Sequence, residues 1–248
     1  MTDIPNLSLE ERNRYTRQLS LPEIGEHGQI KLKNGKVLIV GVGGLGSPIA
    51  LYLAAAGIGH IGLVDGDNVN TSNLQRQIIH FTDDLNRPKV LSAQEKLMRL
   101  NPNIEVTPHY KMLSDKNASK IISRYDFIID ATDSLSTKFL INDVCVSEDK
   151  AFSYGGINGF QGATMTHIKG SACLRCLFEN LPDEEPIIGP IGAIAGIIGS
   201  IQALEAIKFI TDTGNLLTNS LLTVDSLTME LNRFGISKRT NCTSCHDK

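Results

Sequence analysis

Tryptophan is absent from this 248-residue sequence and aromatic residues make up only 5% of it, so aliphatic side chains must build any core. No Lys/Arg cluster stands out. The 24 basic and 27 acidic residues leave a net charge of −3, which argues against a nucleic-acid-binding surface. The stretch from Met1 to Arg17 is polar and charged, without an apolar run of signal-peptide length, so the expected location is the cytoplasm. One uncharged stretch, Pro186 to Leu204, approaches membrane-spanning length. It holds two prolines and four glycines and runs into Glu205 and Lys208, so a buried core helix is expected there, not a membrane span. Linker-like, low-complexity and repeated segments are also missing. The chain therefore reads as one domain in two lobes: an arm over residues 1–30, a first half over 36–150 and a second over 151–248.

The hydrophobic content of 41% and charged content of 21% are those of an ordinary folded protein. Short apolar runs alternate with helical patterns through the first half. Strands are expected at Lys36 to Val40, His60 to Val64, Ile104 to His109 and Phe127 to Ile129. Helices are expected at Ser8 to Leu19, Leu45 to Ala56, Arg87 to Asn101, Asp115 to Ser123 and Leu135 to Lys150. Such alternation predicts an α/β fold, a Rossmann-like parallel sheet with helices on both faces. The second half changes character. Strands at Phe152 to Tyr154, Ala163 to Ile168, Leu221 to Val224 and Met229 to Phe234, with one long helix from Ala193 to Thr211, suggest a second sheet lobe.

Gly41-Val-Gly43-Gly44-Leu-Gly46 fits G-x-G-x-x-G directly after a strand and at the opening of a helix. Glycines let the backbone approach phosphate, and the helix N-terminus offers unpaired N–H groups. Asp65, closing the next strand, is placed to accept from ribose hydroxyls. The pattern marks a nucleotide site and leaves the nucleotide open, since it also serves NAD. Arg76 and Lys89 follow successive strand ends, and Asp130 and Asp133 end another. Triphosphate transfer needs such cations and a carboxylate able to hold Mg²⁺.

The blocks Arg14-Tyr15-Thr-Arg17-Gln18, GVGGLG at Gly41 to Gly46, VDGD at Val64 to Asp67, SNLQRQ at Ser72 to Gln77 and RPK at Arg87 to Lys89 resemble the MoeB/ThiF/HesA adenylyltransferases. DATD at Asp130 to Asp133, CLRC, GSIQALEAIK at Gly199 to Lys208 and the terminal CTSC continue the resemblance over essentially the whole chain. The resemblance implies ATP with Mg²⁺, a homodimer, and a small ubiquitin-like sulfur-carrier protein ending in Gly-Gly as substrate, in molybdopterin or thiamine synthesis. It implies a nucleotide set of Gly41, Gly43, Gly44, Gly46, Asp65, Asp67, Asn73, Arg76, Gln77, Lys89 and Asp133. Arg17, Arg76, Lys89 and Asp133 would be catalytic, with Arg17 reaching into the neighbouring subunit. Three rival readings remain: an activator of a peptide or tRNA carboxylate on the same fold, an NAD-dependent dehydrogenase, and a non-enzymatic binding module. In a dehydrogenase Arg76, Lys89 and the Asp130/Asp133 pair would have no evident use. The histidines His27, His60, His80, His109 and His167 are expected to carry no catalytic role.

Four of the five cysteines form two C-x-x-C pairs, Cys173/Cys176 and Cys242/Cys245, a spacing that fits a Zn²⁺ ion held by four thiolates. Cys242 to His246 also spells a haem-attachment motif, which would require an exported protein. Cys145 reads as a small buried side chain. Relatives of this family usually carry a further cysteine shortly before the long helix; the segment 177–190 has none, and Glu185 stands about where it would fall. That acidic segment reads as a loop crossing the site. Its lack of a thiol implies that a separate sulfurtransferase delivers the sulfur.

Overall fold

The computed structural model describes residues 6–178 and 189–246. Helices α1 (Leu9–Arg14), α2 (Thr16–Leu19) and α3 (Gly25–Asn34) lead into β1 (Lys36–Val40), α4 (Gly46–Ala56) and β2 (His60–Asp65). Next come α5 (Lys89–Leu100), β3 (Glu105–Tyr110), α6 (Ala118–Ile122), β4 (Phe127–Asp130) and α7 (Leu135–Ser147). The chain continues with β5 (Ala151–Asn158), β6 (Gln161–His167), α8 (Leu174–Leu177), α9 (Gly192–Thr211), β7 (Ser220–Asp225) and β8 (Glu230–Gly235).

The strands form one sheet in the order β3-β2-β1-β4-β5-β6-β7-β8. Strands β3 to β5 pair in parallel, and β5 to β8 antiparallel. The second lobe thus continues the first sheet, with β5 as the shared strand. β4 and β1 beyond Lys36 are buried on both faces, which is why the stretches from Val37 to Val40 and from Phe127 to Ile129 read as unbroken apolar runs. Val37 and Ile39 face a core with α4, α5 and α9, whereas Leu38 and Val40 face another with α6, α7 and the cysteine pairs. Helices therefore cover both faces.

Local chemistry sets the ends of these elements. Ser8 and Glu11 close a capping box on α1, and Gly57 ends α4 in the left-handed region at φ +86°. Helix α5 starts at Lys89 and not at Arg87, because Pro88 is extended and forms the cap. Helix α3 has no counterpart in the sequence reading. Its ten residues hold two glycines and two aliphatic side chains, so no apolar stripe marks it. It is docked instead by Gln29, buried, whose amide donates to the Ala56 carbonyl at 3.0 Å. By length and apolar content alone, α9 would suit a membrane. Here it packs against β5, β6 and α4 with Gln202 and Glu205 buried. Glu205 accepts from Thr166 Oγ1 at 2.6 Å and the Leu217 N–H at 2.7 Å, as a core helix requires.

Candidate active site

β1 lies between β2 on one side and β4 on the other, so the sheet changes direction of winding there and a crevice opens at the carboxyl ends. Gly41 leaves β1 with φ +94°. A Cβ there would stand 2.6 Å from the Ala131 carbonyl, and one on Gly46 would overlap the Gly41 carbonyl. These two glycines are demanded by the loop's own packing. Gly43 and Gly44 are not: a Cβ at either would meet only the side chains of Gln77 or Arg76, at 3.4 Å, or Ala195, at 3.5 Å from Gly44. Among the described residues, neither the Gly43 nor the Gly44 N–H makes a backbone hydrogen bond. Two bare amides at the start of a helix are an anion site.

A cleft of about 1750 Å³ opens over this loop. Asp65 lies at its floor, accepting the Val42 N–H and the Asp67 N–H, both at 2.8 Å. Burial pushes its carboxyl pKa up, against the pull of Lys89. Lys89 is itself buried and paired at 2.9 Å with half-exposed Asp67. Arg76 lies over Gly44, its guanidinium bonded to the Ser72 carbonyl at 3.1 Å. Gln77 is buried, and its Oε1 has no hydrogen-bond partner among the described residues.

The two aspartates after β4 have separate fates. Asp130 is buried and consumed by its neighbours: Thr132 donates from N–H and Oγ1, and Lys138 Nζ sits 3.1 Å away. Lys138, also buried, donates to the Gly155 carbonyl at 2.6 Å and lies over the Tyr154 ring. Asp133 is exposed on the cleft wall, with no side-chain partner among the described residues.

The structure therefore brings Gly41, Gly43, Gly44, Asp65, Asp67, Arg76, Gln77, Lys89 and Asp133 around one cleft. Gly46, Asn73 and Arg17 do not line it. Asn73 Oδ1 accepts from the Asn70 N–H at 3.2 Å and shapes the turn before Arg76. Arg17 is exposed on α2, away from the cleft of its own chain. The Lys138–Asp130 pair and the buried His80 contact with the loop were missed from sequence. The segment with Glu185 lies outside the described residues.

On the far side of α7, the four thiols of Cys173, Cys176, Cys242 and Cys245 lie within 4.8 Å of one another, all buried. Sγ atoms of Cys173 and Cys242 are 3.6 Å apart, and those of Cys176 and Cys245 3.5 Å. A tetrahedron with ~2.3 Å zinc–sulfur bonds needs sulfurs about 3.8 Å apart, so the donor set fits zinc. Buried Asn142 joins the two pairs, accepting from the Leu174 N–H and donating to Ser244 Oγ. Cys145 is buried apart from them, as expected.

Residues 15–244 match the ThiF family. The chain belongs to the ThiF family. Among relatives of this ThiF-family chain is the adenylyltransferase and sulfurtransferase MOCS3 of Culex quinquefasciatus, 42% identical over 98% of the chain and 57% of the relative. The protein of the same name from Drosophila sechellia is 44% identical over 96% of the chain and 54% of the relative. The chain spans about half the length of these curated relatives. Solved structures of Escherichia coli MccB share the fold. The complex with MccA-N7isoASN superposes with a TM-score of 0.85 at 22% identity, covering 99% of this chain and 77% of that one. The complex with ATP gives 0.80 at 20% identity, over 98% and 83%.

Proposed function

We propose that this ThiF-family chain adenylates the C-terminal glycine of a small ubiquitin-like sulfur-carrier protein, consuming ATP and releasing pyrophosphate. The observation that carries the reading is the continuity of the cleft. It runs from the bare amides of Gly43 and Gly44 and the cations Arg76 and Lys89, across β5 and β6, to Thr223, Glu230 and Asn232. One end suits a triphosphate and the other an extended chain terminus. The chemistry needs no general base, because a terminal carboxyl titrates near ~3.5 and is already an anion. The barrier is electrostatic: an anion must reach the innermost phosphorus of a polyanion. Arg76 and Lys89 would lower that repulsion. Of the two aspartates, Asp133 fits Mg²⁺, because its oxygens are uncommitted, whereas those of Asp130 are bonded. Bound Mg²⁺ supplies charge neutralisation at the phosphates.

The carrier is preferred to a peptide substrate because the relatives above 40% identity are named adenylyltransferases and sulfurtransferases. Molybdopterin or thiamine synthesis, in the cytoplasm, is the proposed setting. Since segment 177–190 offers no thiol, a separate sulfurtransferase is proposed to finish the reaction. Intact-mass spectrometry tests the substrate. One carrier ending in Gly-Gly, incubated with the chain and MgATP, gains one AMP; a panel in which none does overturns the reading.

A homodimer completes the proposed site, with Arg17 entering the partner's cleft. Helices α4 and α9, which pack on each other, expose Tyr52 and Leu204 (58% and 55%), an apolar surface suited to pairing. Arg17→Ala and Arg76→Ala homodimers should each be inactive. After subunit exchange, half the dimers are mixed and each holds one intact site, so activity should return to about one quarter of wild type. No recovery would place Arg17 outside the site.

The two kinds of loop glycine also separate. Gly46→Ala drives its methyl into the Gly41 carbonyl and should cost about 3 kcal/mol of stability. Gly43→Ala should unfold near the wild-type temperature yet weaken ATP binding about tenfold, since its methyl meets only a side-chain end. Thermal unfolding and calorimetric ATP titration check both.

A further inference from the structure

A row of buried polar groups ends on the backbone of the glycine loop. His80 is 3% exposed and does not line the cleft. Its Nε2 lies 3.0 Å from the Val42 carbonyl oxygen, and its Nδ1 2.8 Å from Ser92 Oγ. A carbonyl can only accept, so Nε2 carries the proton and Nδ1 receives one from the Ser92 hydroxyl. Ser92 Oγ is free to donate there because its own lone pair accepts from Lys96 Nζ at 2.9 Å. Lys96 is held in turn by buried Asp84. The row Asp84, Lys96, Ser92, His80, Val42 is continuous, and such a chain polarises its members cooperatively. Burial lowers the imidazole pKa to about 4, which leaves a single N–H, committed to Val42.

Val42 is held on both of its peptide planes. Its N–H donates to Asp65 Oδ2 at 2.8 Å, while its carbonyl accepts from His80. In a trans peptide the N–H points opposite to the C=O. Drawing the Val42 carbonyl toward buried His80 therefore turns the Gly43 N–H away from His80, and Gly43 itself lines the cleft. Glycine at 43 supplies no side chain to resist rotation of that peptide. The restraint has to come from elsewhere, and His80 provides it.

We propose that His80 is the positioning residue of the glycine loop, presetting the Gly43 N–H toward the phosphates of the bound nucleotide. The inference rests on reading this cleft as a nucleoside triphosphate site. Donors fixed before the ligand arrives need no reorganisation when charge develops. His80 itself touches no nucleotide; it acts through Val42.

Two substitutions separate this role from simple core filling. In His80→Gln the amide nitrogen reaches roughly where Nε2 stood and still donates to Val42. In His80→Asn the shorter amide reaches only the place of Nδ1, keeping Ser92 and abandoning Val42. Calorimetric titration of the full chain with MgATP should show His80→Asn weakened about tenfold, the worth of one charge-assisted hydrogen bond, and His80→Gln within about threefold of wild type. In pyrophosphate exchange the KM for ATP should rise in His80→Asn while the KM for the carrier stays put. Equal affinity in His80→Asn and wild type, or equal impairment of the Gln and Asn variants, overturns the proposal. Ser92→Ala provides a second arm that leaves the core volume nearly intact. Removing the donor to Nδ1 should weaken ATP about threefold and, by leaving that buried nitrogen without a partner, lower the unfolding temperature by a few degrees; an unchanged affinity counts against the proposal. Wild-type protein that binds ATP but adenylates no carrier overturns the carrier reading alone; wild-type protein that binds no ATP overturns both.

Discussion

Arg76→Ala should lower carrier-dependent exchange of pyrophosphate into ATP by about a thousandfold, as loss of an arginine from a phosphoryl-transfer site does elsewhere. The side chain contributes little to the fold. Its guanidinium holds one carbonyl, that of Ser72, and its stem lies over Gly44. Removing it should change stability by no more than ~0.5 kcal/mol. Its backbone is braced independently, because a Cβ on Gly192 at the start of α9 would stand 3.2 Å from the Arg76 Cα. Place and function therefore separate: the loop stays put while the charge disappears. Arg76→Lys should recover only part of the loss, since an ammonium offers a point charge where a guanidinium offers a planar fork. Exchange rates measured beside unfolding curves check this. Near-normal exchange in a folded Arg76→Ala protein removes the residue from the chemistry.

Cys242→Ser should have the largest effect on stability. The four thiols bring together positions 69 apart in sequence, and a zinc ion held by them would tie the C-terminal segment to the chain beside α7. Structural zinc held by such a set contributes folding free energy directly, about 10–16 kcal/mol in zinc-finger peptides. In a chain with two aliphatic cores, a loss of about 5 kcal/mol is expected, or roughly 15 °C in unfolding temperature. Metal analysis should fall from one zinc per chain to nearly none. A strong chelator should reproduce the shift in wild-type protein. A serine variant that keeps both its zinc and its unfolding temperature would contradict the assignment of these thiols.

How far the sequence foretells this protein depends on the range of each interaction. β1 and β4 are legible because strands covered on both faces must be apolar where they are buried, and the runs from Val37 to Val40 and from Phe127 to Ile129 are. The glycine loop and the cysteine pairs are legible because their chemistry fixes spacing between near neighbours. Helix α3 is not, since Gln29 docks it by one hydrogen bond to Ala56, a contact that leaves no periodicity. The Lys138–Asp130 pair was unreadable for a similar reason. It forms only once α7 is laid against the ends of β4 and β5, where the Gly155 carbonyl also waits. His80 is one of six histidines in the sequence, and the loop residue it holds is 38 positions away. The change of pairing escaped the sequence too: nothing local in Ala151–Asn158 says that one edge pairs in parallel and the other antiparallel. Asn73 shows the reverse case. Its motif position implies a ligand contact, and the structure adds a second use that the motif does not announce: Oδ1 accepts from the Asn70 N–H in the turn before Arg76.

The central claim is that positive side chains around one cleft let a protein's terminal carboxylate displace pyrophosphate from ATP. Its most direct measurement is the return of labelled pyrophosphate into ATP, catalysed by the purified full chain with Mg²⁺ and candidate carriers. The account predicts exchange that appears with one carrier and disappears when that carrier lacks its last glycine. Folded, zinc-loaded protein that returns no label with any carrier would contradict it.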